Sequence, residues 1–191
     1  MGHLERRNRD KENTKNSILK AALDIAIAEG WQAVTIRKIS EAVEYTTSIV
    51  YGYFESKEAL LLEISNSGFS QLYKLSDTAL SQETDPGQQL LKLSLINWDF
   101  AQENKELYQL MFNLKRPAGD VAFKGMSLIE DVFYKLTGKN EKEINSLILN
   151  WICLRRGCIN LLTDFHEVEE NVNARELYIE FMNRFIISIT P

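Results

Sequence analysis

The chain has 191 residues, of which 45% are hydrophobic and 26% are charged, so it is too apolar for a disordered protein and ordinary for a globular one. No apolar run approaches the roughly 18 residues of a membrane span, and the charged start lacks the apolar core of a signal peptide, so we expect a cytoplasmic protein with no membrane partner. The net charge of −5 argues by itself against a nucleic-acid binder.

The first third of the chain predicts three helices in succession. Apolar residues recur at intervals of three and four in a first helix from about residue 13 to Glu29, which Gly30 ends, and His3 falls in a tail before it. Thr35 is placed to cap a short second helix, and Thr46 is placed to cap a third. The inward residues that this pattern predicts are Ile18, Ala22, Ile25 and Ala26, then Ile36, Ile39 and Val43, then Ile49, Val50 and Tyr53.

The rest of the chain also has helical periodicity throughout. Ser56 is placed to cap a long fourth helix, with Glu58 in its first turn, where the helix dipole favours a carboxylate. Breaks fall near 81–87, at Pro117–Gly119 and at 137–140. Further helices are predicted at about 87–103, 104–114, 121–137, 141–165 and 172–189. We therefore expect an all-α protein of about nine helices.

The two cysteines and two histidines predict no metal site or cofactor. Cys153 and Cys158 are five residues apart on one predicted helix, which puts them on different faces and argues against a disulfide between them. Together with His3 and His166 they make no recognisable zinc pattern. The interpretation is two buried apolar thiols in a reducing compartment.

Residues 35–61, TIRKISEAVEYTTSIVYGYFESKEALL, predict two short helices with a tight break between them, followed by a long helix. Small hydroxyl side chains begin the second short helix, where they can enter the major groove of DNA without clashing with base edges. Tyrosines follow, and their hydroxyls are suited to phosphate oxygens. Residues 1–60 hold nine basic and nine acidic side chains, so this end is neutral and the remainder carries the acidic excess. Such a distribution suits a protein that meets DNA with one end only.

This segment closely resembles the DNA-binding head of the TetR family of bacterial regulators. The resemblance is carried by Thr35, Ile39, Ala42, Thr46, Tyr51, Tyr53-Phe54 and Ser56-Lys57-Glu58-Ala59-Leu60, with the helix over 18–30 before them. It implies a helix-turn-helix domain at 1–56 and a ligand-binding and dimerisation domain at 57–191. The DNA contacts that it implies are Thr35, Arg37, Tyr45, Thr46, Thr47, Ser48, Tyr51, Gly52, Tyr53 and Lys57. The alternative for Tyr51 and Tyr53 is core packing, which we expect for Phe54.

The turn between the two short helices departs from the family pattern. Glu44-Tyr45 stands where the family usually has glycine and a small aliphatic residue. A left-handed residue other than glycine costs about 1 kcal/mol, and a carboxylate near phosphates opposes DNA binding. Either the turn differs, or the affinity for DNA is lowered, or Tyr45 adds a contact of its own.

The body is rich in aromatic and methionine side chains, and the family resemblance implies a small-molecule pocket there. Residues 98–112 are similar to a helix pair in one subgroup of TetR ligand domains, and Trp151 with Arg156-Gly157 is loosely similar to its tryptophan–histidine–glycine signature. The candidate ligand contacts are Trp98, Tyr108, Met111, Phe112, Met126, Trp151 and Arg155. The alternative for the aromatic residues and methionines is an ordinary core. For Arg155 and Arg156 it is a salt bridge at the surface or at an interface.

Dense apolar faces on the last two helices predict a homodimer built as a four-helix bundle. A dimer would present two heads to a near-palindromic site on double-stranded DNA. The resulting hypothesis is a repressor released from its operator by an apolar or amphipathic effector. Two alternatives stay open. One is an enzyme on a helical bundle, for which no nucleophile motif, metal cluster or phosphate loop is found in the sequence. The other is a dimeric ligand-binding protein that lacks sequence-specific DNA binding.

Overall fold

The computed structural model describes residues 2–114, 120–165 and 173–191. All regular elements in these ranges are helical, which confirms the all-α prediction. They are α1 (His3–Glu29), a 3-10 turn (Trp31–Ala33), α2 (Ile36–Ala42), α3 (Thr47–Tyr53), α4 (Lys57–Ser81), α5 (Pro86–Glu103), α6 (Lys105–Gln109), a π-helical turn (Leu110–Leu114), α7 (Asp120–Thr137), α8 (Glu141–Phe165) and α9 (Ala174–Ile189). No helix in these ranges is long and apolar enough to cross a membrane.

The chain divides into two compact units. The first comprises Met1–Gly68 with Glu106–Pro117, and the second comprises Phe69–Lys105 with Ala118–Pro191. The division falls within α4, and the segment after α5 belongs to the first unit. This division does not coincide with the predicted boundary between a DNA-binding domain at 1–56 and a ligand-binding domain at 57–191. That boundary concerns function and stays a prediction.

The first unit is held together by a small apolar core in which α2 packs against α1 and α3. The core residues are Ile18, Ala22, Ala26, Trp31, Val34, Ile39, Val50, Phe54 and Leu60, each with at most 8% of its surface exposed. Phe54 is 5% exposed and lies in the core, as expected. Ile49 is 41% exposed, so its predicted inward position is wrong. In a helix as short as α3, Val50 and Phe54 fill the space against the core and Ile49 faces outward.

The first helix begins at His3, ten residues before the predicted start near residue 13. Its first turns contain strong helix formers and no breaker, so the backbone continues as a helix. They contain no apolar stripe, and periodicity could not detect them for that reason. His3 therefore lies in a helix and not in a tail.

The predicted capping positions are correct, but only two of the three hydroxyls make the bond. The Thr35 side chain accepts a hydrogen bond from the Lys38 amide at 3.2 Å, and the Ser56 hydroxyl accepts one from the Ala59 amide at 3.1 Å. Thr46 occupies the N-cap of α3 with extended backbone, yet its side chain makes no cap hydrogen bond. The Thr46 hydroxyl is therefore available to an outside partner.

The turn after α2 is a left-handed helix end with a glutamate in the glycine position. Glu44 has φ of +57°, the only positive value outside glycine among the described residues. The Tyr45 amide donates to the Ser40 carbonyl at 2.9 Å, and the Glu44 amide donates to the Glu41 carbonyl at 3.3 Å. These are the two hydrogen bonds of a Schellman motif. Glu44 thus adopts the left-handed conformation that glycine usually takes at a helix end, and it bears the strain.

The second unit is organised around Ser94 in α5. The indole N–H of Trp151 donates to the Ser94 hydroxyl at 2.9 Å, and the Tyr178 hydroxyl donates to the Ser94 carbonyl at 2.8 Å. Trp98 stacks on Tyr178 with ring centroids 4.8 Å apart. Because all these groups are buried, α5, α8 and α9 are fixed against one another by both polar and aromatic contacts.

The loop between α4 and α5 is closed by a carboxylate network. Asp85 caps α5 by accepting from the Gln88 amide at 2.7 Å. Glu83 accepts from Lys92 at 3.0 Å and from the amides of Thr84 and Asp85. The Lys92 hydrogen bond, followed by those two amides, lowers the pKa of Glu83, which therefore stays charged to more acidic pH.

The two cysteines lie on different faces of α8, but only one of them is buried. Cys158 faces the core, and burial raises the pKa of its thiol, so it is a poor nucleophile at neutral pH. Cys153 is exposed, so its predicted burial is wrong, because its side of α8 faces away from the core of the second unit. His166 lies outside the described residues.

Candidate nucleic-acid interface

The surface of α3 is unusually exposed for a helix in a folded core. Of its seven residues only Val50 is buried and Tyr53 is half-buried. Thr47, Ser48 and Gly52 are exposed, and Tyr51 shows 54% of its surface. Tyr45, just before the helix, shows 41%. The structure therefore places these predicted contacts on the outside of one helix and its entry turn, and gives none of them a core role.

The two cations of α2, Arg37 and Lys38, already form salt bridges with carboxylates. Arg37 Nε lies 2.8 Å from Glu41 Oε1, one turn along the helix, and that hydrogen bond holds the pKa of Arg37 above its ordinary value. Lys38 Nζ lies 2.6 Å from Glu29 at the end of α1. A phosphate would have to displace these carboxylates, so each contact would contribute less than a free cation would.

Tyr53 and Lys57 lie at the far end of the interface. Tyr53 ends α3 and is half-buried, which fits a hydroxyl at the surface on a ring that packs inward. Lys57 opens α4 and is half-exposed. Within the described ranges Lys57 forms no ion pair, unlike Arg37 and Lys38.

Ile49 is a residue that sequence reasoning missed. It points outward from α3 on the same side as Gly52, one turn away. An exposed isoleucine on a polar helix face can contact the methyl group of thymine. The sequence gives one signal for it. A helix of seven residues has little inward surface, so the two adjacent apolar residues Ile49 and Val50 cannot both be buried.

Gly52 leaves open space above the backbone of α3. A Cβ added there would meet no atom within 4 Å, so the glycine is not needed for packing inside the chain. Its φ is not in the left-handed region either. Folding therefore gives no reason for a glycine inside this helix, and close approach by an outside molecule would give one.

The body candidates divide between the two units. In the second unit, Trp98 and Trp151 are buried and engaged with Tyr178 and Ser94, whereas Met126 is 39% exposed. Arg155 is only 5% exposed, and its guanidinium carbon lies 4.5 Å from the ring centre of Trp151. Trp98 and Trp151 are thus linked through Ser94 and Tyr178, and Arg155 lies against Trp151.

A buried amide accompanies this group. α5 and α8 run parallel, because Ser94 meets Trp151 and Gln102 meets Thr163 further along both helices. Asn97 lies between these two levels on α5, as Arg155 does on α8. The Asn97 side chain is 4% exposed, and its Oδ1 has no hydrogen-bond partner among the described residues. A polar ligand atom could supply that missing donor.

The remaining candidates lie in the first unit, beside α4. Tyr108 and Met111 are buried, and Tyr108 packs on Phe112 with ring centroids 4.5 Å apart. A Cβ added at Gly68 would lie 2.5 Å from Met111 Sδ, so α4 and the π turn approach each other closely. The π turn replaces the end of the helix predicted over 104–114, and such turns are frequent at functional sites.

Part of the apolar surface of α8 and α9 is not used inside the second unit. Ile148, Trp151, Ile159, Leu162 and Met182 are buried within it. Leu149 and Leu161 on α8 and Ile187 on α9 are exposed by 61%, 63% and 74%. Of the apolar residues that we expected in the dimer, the five buried ones face inward, whereas six others are half-exposed: Ile152, Leu177, Phe181, Phe185, Ile186 and Ile189. Together with Leu149, Leu161 and Ile187 they give α8 and α9 an outward apolar surface.

Comparison with known families agrees with the geometry of the first unit. Residues 18–64 match the family model for bacterial regulatory proteins of the tetR family. This match runs from the first buried residue of α1 to the third turn of α4, and it includes α2, α3 and the turn between them.

Two curated relatives match over part of their length. The HTH-type transcriptional repressor NicS of Pseudomonas putida is 26% identical over 105 residues, which is 55% of this chain and 50% of NicS. The uncharacterized HTH-type transcriptional regulator YdeS of Bacillus subtilis is 32% identical over 70 residues, which is 37% of this chain and 35% of YdeS. The matches span half or less of the length of these relatives.

Solved structures share the fold over nearly the whole chain. A Rhodococcus protein of unknown function superposes with a TM-score of 0.77 at 16% identity, over 93% of this chain and 95% of the other. A TetR variant from Acinetobacter baumannii in complex with minocycline superposes with a TM-score of 0.72 at 17% identity, over 90% and 93%. At such identities the likeness concerns the fold.

Proposed function

We propose that the chain is a homodimeric transcriptional repressor of the TetR type that binds a near-palindromic operator through α3, because residues 18–64 match the family model for bacterial regulatory proteins of the tetR family. The observation that carries this proposal is the exposure of α3, whose outward side chains have no role in the core. An exposed helix of hydroxyls, tyrosines and one glycine, supported by a packed α1 and α2, has the chemistry of a recognition helix in the major groove.

The test is selection of the full chain against random double-stranded DNA at about 0.15 M salt, where charges beyond roughly 8 Å are already screened. An enriched inverted repeat is the expected result, because two identical heads would read two half-sites. A folded chain that enriches no sequence would contradict the proposal and favour the ligand-binding alternative without specific DNA binding.

Variants then separate the roles within the interface. We expect Tyr51→Phe and Lys57→Ala to weaken binding to all DNA sequences alike, because each removes a phosphate contact, and Lys57→Ala to lower the salt slope by about one. Thr47→Ala should instead relax preference at particular bases. The control is Lys20→Ala in α1, whose ammonium is paired with Asp24 one turn away. If Lys20→Ala and Lys57→Ala behave alike, Lys57 is not a phosphate contact.

We propose that the effector is an amphipathic small molecule bound in the body. The minocycline complex of a fold neighbour supports a small molecule as the class of ligand. The apolar candidates Trp98, Trp151 and Met126 suit its hydrocarbon part, while Asn97 Oδ1 and Arg155 suit its polar part. Tyr108, Met111 and Phe112 lie beside Gly68 of α4, the helix that we expect to move the head. Effector and operator would be coupled by about 1–3 kcal/mol in each direction.

A further inference from the structure

The start of α1 carries a group of cations that the folded head does not use. Arg6, Arg7, Arg9 and Lys11 are all exposed, and they provide four of the nine basic residues in the first sixty. Asp10 lies among them and Glu5 and Glu12 flank them, so residues 5–12 carry a net charge of +1, whereas the whole chain carries −5. A surface run of this kind attracts polyanions.

Like Lys57, and unlike the other four cations of the head, these four have no carboxylate partner among the described residues. Lys15 pairs with Glu63, Lys20 with Asp24, Arg37 with Glu41 and Lys38 with Glu29. Over the described ranges, Arg6, Arg7, Arg9 and Lys11 form no such ion pair, although Glu5, Asp10 and Glu12 lie within the same turns. A cation without a partner can bind a phosphate at no cost in broken ion pairs.

The helix geometry divides the four cations into two pairs. At 3.6 residues per turn, Arg7 and Lys11 lie within about 20° of the direction of Ile18, whereas Arg6 and Arg9 lie about 120° and 180° away. Arg7 and Lys11 therefore continue the stripe that Ile18 and Ala22 bury in the core. Arg7 and Lys11 lie beyond the end of that core along α1, and both are exposed.

Contacts at Lys15 show which end of the head this stripe approaches. The Lys15 ammonium lies 2.7 Å from Glu63 of α4 and 6.0 Å from the ring centre of Phe54, which follows α3 directly. Lys11 and Arg7 come about 6 and 12 Å earlier along the α1 axis. They thus extend from the end of the head where Tyr53 and Lys57 lie.

We propose that the first three turns of α1 form a second DNA-binding element, in which Arg7 and Lys11 bind the sugar-phosphate backbone of double-stranded DNA beside the half-site that α3 reads. This inference rests on the proposed function and adds a contact outside the helix-turn-helix. The contact is independent of sequence, because guanidinium and ammonium groups reach phosphates and not base edges. It increases affinity and leaves specificity unchanged.

The experiment compares two double variants of the full chain with equal loss of charge. Arg7→Ala with Lys11→Ala removes the inward pair, and Arg6→Ala with Arg9→Ala removes the outward pair. Alanine keeps the helix, and circular dichroism checks that both variants fold. Binding is measured between 0.05 and 0.3 M salt on the selected operator and on a mixed-sequence duplex, so a result follows even if selection yields no operator.

We expect the inward double variant to lower the slope of log affinity against log salt by about two per head and to weaken binding on the order of tenfold at 0.1 M salt. The outward double variant should change the slope by less than one. A duplex cut back to the half-sites lacks the flanking phosphates, and on it the unsubstituted chain and the inward variant should bind equally.

Equal slopes for both double variants, in a chain that binds DNA, would overturn this inference alone. An inward variant that binds as tightly as the unsubstituted chain on the long duplex would do the same. A chain that binds neither duplex would overturn the proposed function as well.

Discussion

Gly52 shows how a single residue can report the use of a surface. Glycine inside a helix costs about 1 kcal/mol relative to alanine, and nothing in the chain occupies the space where its side chain would be. Its neighbours on the exposed side of α3, Ser48, Ile49 and Tyr51, all carry side chains, so the gap stands out on an otherwise covered face. A residue that costs stability and fills no structural need is what a closely approaching DNA backbone or base edge would require.

We therefore expect Gly52→Ala to make the chain more stable and less able to bind its operator. The helix gains about 0.5–1 kcal/mol, while the added methyl group weakens binding on the order of tenfold. Urea unfolding and fluorescence anisotropy with labelled operator measure the two effects. Gly125→Ala in α7 is the control, since its Cβ also meets no atom within 4 Å and it lies in the second unit. An unchanged operator affinity would mean that DNA does not approach α3 at Gly52.

At the scale of elements, sequence periodicity predicts helices that have an apolar stripe and does not detect helical turns made of polar residues. The bounds of α5, α7, α8 and α9 are predicted to within two residues, because each has an apolar stripe and most of their ends lie next to a proline, a glycine or a polar run. The first three turns of α1 lack a stripe, and the π turn at Leu110–Leu114 has the same local apolar pattern as an α-helix. Neither is detectable without the packing that surrounds it.

The turn between α2 and α3 gives a prediction at this scale. Glu44→Gly should stabilise the head by about 1 kcal/mol, because the left-handed φ of +57° costs glycine nothing. Glu44→Gln removes the charge and keeps the strain, so it should leave the free energy of unfolding unchanged. Both variants should bind DNA more tightly at low salt, since a carboxylate near phosphates is repelled. If neither changes DNA affinity, Glu44 faces away from the DNA.

At the scale of the whole molecule, sequence and structure differ in how much they say about each unit. The predicted DNA contacts follow from a motif in which spacing and residue type are tied together, and in the structure most of these residues are exposed. The ligand contacts follow only from composition, since aromatic residues suit a core and a pocket equally well. Trp98 and Trp151 lie in a core, and the unsatisfied Oδ1 of buried Asn97, the residue before Trp98, adds a signal that the sequence does not contain, as do the unsatisfied oxygens of Ser65 and Gln89.

The proposed dimer is tested on the outward apolar residues of the second unit. Leu149→Glu with Leu161→Glu should convert a dimer into monomers in sedimentation experiments, because a stable interface buries about 1,200–2,000 Å² and excludes unpaired charge. Operator binding should weaken in parallel, since one head reads one half-site. Tyr134→Glu is the control, as Tyr134 is 62% exposed on α7. A double variant that stays dimeric would place the interface elsewhere.

Trp31 has a consequence for how such a regulator can be observed. Its indole N–H donates to the Glu106 carbonyl at 2.9 Å, so it joins the end of α1 to the start of α6 within the first unit. The other two tryptophans, Trp98 and Trp151, lie in the second unit. Replacing those two with phenylalanine would leave Trp31 as the one tryptophan beside seven tyrosines, and excitation beyond the tyrosine absorption band would report the surroundings of its indole alone. The chain thus contains its own optical probe of the segment that carries Tyr108 and Met111, and a titration with operator DNA needs no added dye.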